Sequence, residues 1–161
     1  MAVYSRHLCN DLRCAHDEIR GNIVDMDIEK QLQAASAVRA ELERLHTQFM
    51  GAIGKLDWPH NSIVFKVERN ELRCSCLGIW MFAQHRLVAR NGQFFGIEYI
   101  FAAEDDTLPI WTMYLMTNGI LYTDSMARNV ICAMSSDEFG WRVGNPIASA
   151  LMASDFVAPR E

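Results

Sequence analysis

No stretch of this 161-residue chain is apolar for long enough to span a bilayer. The longest charge-free run, Thr107 to Thr123, is broken by Pro109, Thr112, Thr117 and Asn118-Gly119 and falls short of the roughly 20 apolar residues required. Proline and glycine are scarce, at four and nine residues, against 50% apolar residues. That excludes a disordered chain, a collagen-like repeat and low-complexity sequence. The chain has no Gly-rich phosphate loop, no G-x-S-x-G, no H-E-x-x-H and no paired-carboxylate motif, so no catalytic signature marks it as an enzyme. Its N-terminus places Arg6, His7, Asp11 and Arg13 where a signal peptide would need an apolar core, which leads us to expect a cytoplasmic protein without membrane association.

Cysteine is present in an odd number: Cys9, Cys14, Cys74, Cys76 and Cys132. In a cytoplasmic chain this argues for reduced thiols used as small hydrophobes. Cys74-x-Cys76 would put two sulfurs on one face of a strand, with Cys9, Cys14 or His16 as further ligands, but the paired C-x₂₋₄-C clusters of structural zinc sites are missing. We therefore expect neither metal nor cofactor. Twenty acidic residues against fifteen basic ones give a net charge of −5, which disfavours nucleic acid as a partner. Only residues 55–92 are locally basic, with six Lys and Arg against three acidic residues.

Hydrophobic spacing supplies the architecture. Leu8, Leu12, Ala15 and Ile19 predict a short helix that Ser5 caps and Gly21 ends. Ile28, Leu32, Ala35, Val38, Leu42, Leu45 and Phe49 predict a long second helix to Gly54, whose stripe serves either core packing or dimerisation. Asp57-Trp58-Pro59-His60 breaks it. Then come β-branched and aromatic runs at 63–68, 72–83, 86–90, 93–103, 108–117 and 120–124, separated by turn residues that include Asn91-Gly92 and Asn118-Gly119. Residues 125–134 read as a short helix, and Asn145-Pro146 as the N-cap and first residue of another. The expected fold is α+β: two N-terminal helices, one of them long, a five- to six-stranded antiparallel meander and short C-terminal helices. One domain over 1–161 is expected, helical at 5–54, sheet at 62–124 and helical again at 125–156.

Both sheet faces read as apolar, so each should be covered, one by helices and the other by helix, a partner or a ligand cavity. Glu98 interrupts the strand Phe94 to Ala103 on the face of Phe94, Gly96 and Ile100. A lone buried carboxylate there would be an acid or a ligand anchor, while an ion pair with Arg86, Arg90 or Arg73 is the simpler use. Trp80, Trp111, Tyr99 and Tyr114 are candidate walls of such a cavity, and His60 is the histidine in the least ordinary setting. His46 reads as the boundary of a packed helix and His85 as a solvated turn residue. Catalytic residues are not identifiable. The leading expectation is a non-enzymatic, homodimeric adaptor or chaperone-like module that holds a protein partner. The alternative is a small-molecule binding protein or enzyme with its cavity between sheet and helices.

Overall fold

A computed structural model describes residues 8–57, 62–103 and 108–154, with side chains from Asp27 onward. The chain divides into two units, Met1–Ala37 and Val38–Glu161. Helix α1 runs Leu8–Ile53 without a break at Gly21, so the two expected N-terminal helices are one. Seven strands follow: β1 (Ile63–Glu68), β2 (Glu71–Cys76), β3 (Ile79–Arg90), β4 (Gln93–Ala103), β5 (Trp111–Met116), β6 (Ile120–Tyr122) and β7 (Val130–Ala133). They form a single antiparallel sheet in chain order, and α2 (Phe139–Met152) closes the described chain. The fold is α+β with an antiparallel meander, as the hydrophobic spacing predicts. Among the described residues no helix is long and apolar enough to cross a membrane.

The seventh strand is β7, in a segment whose spacing suggests a helix, and the runs expected at 72–83 and 86–90 are divided at a different place because one turn has no familiar signature. Leu77 and Gly78 have φ of 52° and 83°, the two positive values of a two-residue hairpin turn, and Cys76 pairs with Ile79 across them. Arg69-Asn70 (50°, 68°) and Asn91-Gly92 (51°, 77°) turn the chain in the same way. The Leu77-Gly78 turn reverses the parity of everything after it, so Trp80 and Phe82 lie on the opposite face from Cys74 and Cys76, which pair with Met81 and Ile79. Gln84 to Arg86 is no turn at all: β3 passes straight through it, and His85 stands opposite Tyr99.

A bulge between β3 and β4 makes a second correction. Val88 pairs with Gly96 and Ala89 with Phe94, which leaves Phe95 as the extra residue and moves Phe94 to the core side with Ile97, Tyr99 and Phe101, away from Glu98. Beside the bulge, a Cβ on Gly96 would lie 2.8 Å from both the Leu115 carbonyl oxygen and the Met116 sulfur. The backbone of β5 cannot step aside without breaking the ladder. Gly96→Ala is therefore expected to cost about 1–3 kcal/mol, read as a lower urea midpoint, the range typical of overpacking; an unchanged midpoint would show the approach to be looser than described.

Residues 125–134 are not a helix. The Asp124 carboxylate accepts hydrogen bonds from the backbone N–H groups of Met126 (2.9 Å), Arg128 (3.4 Å) and Asn129 (2.9 Å), and Ala127 takes a φ of 55°. That side chain closes a tight loop that sends the chain back as β7, a local hydrogen-bonding competition that apolar spacing does not report. Pro146 does not open a helix either but lies inside α2. Loss of one backbone donor there costs about 3 kcal/mol. It is outweighed by Phe139, Val143, Ile147 and Leu151, four side chains at four-residue spacing that are all buried, worth roughly 1.5–3 kcal/mol each.

In the second unit Leu42, Leu45, Phe49 and Ile53 of α1 and the buried residues of α2 pack on one sheet face, against Phe65, Leu72, Cys74, Met81, Ile97, Tyr99, Phe101, Met113 and Leu115. In the first unit, Ile28 and Leu32 stand 50% and 66% exposed.

Candidate functional site

The sheet face opposite that core carries a mixed surface. Adjacent strands align Val64, Ser75 and Trp80; Lys66, Arg73, Phe82 and Ala102; Gln84, Ile100 and Thr112; and Arg86, Glu98 and Tyr114. Trp80, Phe82, Ile100 and Tyr114 are half-buried. Two cations shield the rings: Lys66 Nζ lies 5.1 Å over Trp80 and the Arg73 guanidinium 4.9 Å over Phe82. Their aliphatic stems cover apolar surface while the charged ends stay near water. Arg73 also donates to Glu71 at 3.2 Å, yet its Nε is buried without an acceptor.

Glu98 is 7% exposed and fully engaged. One carboxylate oxygen accepts from Arg86 Nε and the other from the Tyr114 hydroxyl at 2.7 Å. Burial pushes its pKa up, but the Tyr114 and Arg86 hydrogen bonds and the Arg86 charge together pull it below the usual carboxylate range. The same contact, with burial as the larger cause, raises the Tyr114 hydroxyl to about 12. Of the arrangements open at the sequence level, the Arg86 ion pair is the one present, and the carboxylate has no spare proton to offer as an acid.

The candidate wall residues are not brought together. Glu98, Tyr114 and Trp80 share the second face, but Trp80 lies six residues along β3 from Arg86, about 20 Å away. Tyr99 and Trp111 belong to the core face: Tyr99 is fully buried, and Trp111 packs at the core margin with its indole N–H buried and unpaired. His60 lies outside the described residues. Two open grooves occur elsewhere, one of about 540 Å³ between β7 and α2 beside Trp141 and Arg142, the other of about 460 Å³ beside Arg90, Phe95 and Met126.

Cys74 and Cys76 point into the core, and burial raises the Cys74 thiol to about 12 and the Cys76 thiol in the same direction; Cys132, also buried, rises to about 11. These buried thiols are held protonated and pack as small hydrophobes. Among the described residues no three His, Cys, Asp or Glu side chains converge as metal ligands.

One polar cluster escaped the sequence reading. His46, 8% exposed on α1, donates or accepts through Nδ1 with the Tyr99 hydroxyl (2.8 Å) and through Nε2 with Asn70 Oδ1 (3.2 Å), while its ring stacks on His85 at 4.3 Å and 27°. Asn70 reaches it from the β1–β2 turn, where φ is +68°. The signal that could have found it is parity. Once β3 is read as one strand, His85 shares the helix-facing side with Met81, Ala83 and Leu87. Compared with known proteins, the chain matches no family model, no curated protein and no solved structure.

Proposed function

We propose that the protein is a non-enzymatic binding module of the adaptor or chaperone-like kind that works as a homodimer and holds a protein partner. The observation that carries this reading is the pair Ile28 and Leu32, one helical turn apart on α1 and 50% and 66% exposed. With Ala35 they repeat the spacing that buries Leu42, Leu45 and Phe49 further along the same helix. A second copy offering the same stripe would remove both side chains from water, the usual isologous solution. The second sheet face, with Trp80 and Phe82 under a cationic cover, supplies the surface for the partner, since aromatic rings and arginine are the residues that anchor interfaces.

Light scattering tests the dimer. The full chain is expected to show twice its 18.3 kDa mass at micromolar concentration, and Ile28→Lys with Leu32→Lys to return it to the monomer mass without loss of circular-dichroism signal. A monomeric parent chain overturns the reading.

A further inference from the structure

We propose that the stacked pair His46 and His85 is a pH-sensitive fastening that holds the Val38–Ile53 part of α1 firmly on the sheet at neutral pH and loosens it as the pH falls toward 5. The proposal rests on hydrogen-bond roles that close most completely with His46 neutral. Asn70 Oδ1 can only accept, so His46 Nε2 must carry the proton in that bond. In the neutral imidazole Nδ1 is then bare and accepts from the Tyr99 hydroxyl, which is itself completely buried. Both ring nitrogens of His46 are used, and α1, the β1–β2 turn, β3 and β4 meet at one ring.

A second proton on His46 undoes this arrangement. Nδ1 becomes a donor facing a hydroxyl whose own hydrogen must then turn away into the core, and a positive charge appears in a buried ring 4.3 Å from the centre of His85. The groups that face His46 from the packed elements are His85 of β3, Tyr99 of β4 and Asn70 of the turn. Among the described residues none that acts on its proton is a carboxylate that would welcome the charge. Burial is the main cause, and the His85 charge the next, of a His46 proton affinity below the ordinary one; the Asn70 bond pulls weakly the other way.

The sign follows. A histidine whose pKa falls on folding binds more protons in the open state, so stability is complete above the ordinary histidine value near 6.5 and declines as the pH drops from there toward the folded-state value. His85 is exposed and remains hydrated in either state, so the strain is concentrated on His46.

Amide hydrogen exchange on the full chain, corrected for the intrinsic pH effect, provides the test. Residues 42–50 are expected to exchange several-fold faster at pH 5.5 than at 7.5, up to about tenfold, while β5, which has no histidine, changes less. His46→Gln should remove that difference, and His85→Asn should shrink it by removing the neighbouring charge. If His46→Gln does not fold, an NMR titration of the parent chain decides: the fastening requires the His46 ring proton to titrate below 6.5. A His46 midpoint at or above that value overturns the proposal, as does equal exchange at the two pH values or a pH response that persists unchanged in His46→Gln.

Discussion

Phe49→Ala is expected to cost about 3–5 kcal/mol, the range for removing a fully buried phenylalanine from a core that cannot collapse around the gap. The ring is 0% exposed and lies 4.6 Å from the Tyr99 ring and 6.1 Å, edge-on, from Phe139. It is thus the side chain through which α1, β4 and α2 meet. Tyr99 cannot move into the space, because its hydroxyl is held by His46, and its strand is hydrogen-bonded on both sides by β3 and β5. Against a total stability of 5–15 kcal/mol, typical of a single domain, the loss is severe. Urea denaturation checks it: the midpoint should fall steeply with the slope unchanged, and a loss below about 1 kcal/mol would mean that the ring is not packed as described. Leu32→Ala is the matched comparison. With Leu32 66% exposed, the change should be small in a monomer and concentration-dependent if a second copy covers that residue.

Glu98 variants are expected to separate into two sizes of effect. Glu98→Ala strips the Tyr114 hydroxyl of its acceptor and Arg86 of its counter-ion, and should cost about 2–3 kcal/mol. Glu98→Gln keeps the shape and an oxygen for Tyr114, and loses the charge opposite Arg86 together with the acceptor for its N–H. Because the Arg86 side chain is 69% exposed, water replaces much of what it loses, and about 1 kcal/mol is expected. The parent chain should also lose this contribution in acid. The carboxylate pKa is lower folded than unfolded, so its stabilisation is complete above the unfolded value near 4.3 and disappears as the pH falls through the folded one. Denaturation midpoints at pH 7 and pH 3 provide the check. Glu98→Gln should show a smaller loss on acidification than the parent, and equal losses would sink the claim that this carboxylate is held ionised by Arg86 and Tyr114.

Neither result requires Glu98 to be catalytic, which is where inference from the chain alone and inference from the fold part company. Alternating hydrophobicity and the Asn91-Gly92 turn were sufficient to identify an antiparallel meander after a long helix, because strand period, helix period and positive-φ turns are local consequences of residue type. An ion pair for Glu98 was legible, with Arg86, Arg90 and Arg73 all open as partners; the Phe95 bulge selected Arg86, since the Asn91-Gly92 hairpin without it would set Ile97, not Glu98, opposite Arg86. Parity was not legible. Leu77-Gly78 turns the chain with a leucine at positive φ, and Phe95 is inserted as a bulge; each flips or shifts every residue beyond it, which moves Trp80, Phe82 and Phe94 to faces opposite those their spacing suggests.

What the sequence by itself determined was the α+β class, the hairpins marked by Asn-Gly pairs and the long apolar stripe of α1, all set by interactions within a few residues or across one turn. Only the tertiary structure decided that α1 is unbroken, that Asp124 closes a loop where apolar spacing suggests a helix, and that Pro146 is tolerated inside α2. It alone assembled His46, Asn70, His85 and Tyr99 from a helix, a turn and two strands. Those outcomes depend on burial and on hydrogen bonds between segments distant in the chain, and long-range packing overrides local preference wherever the two disagree.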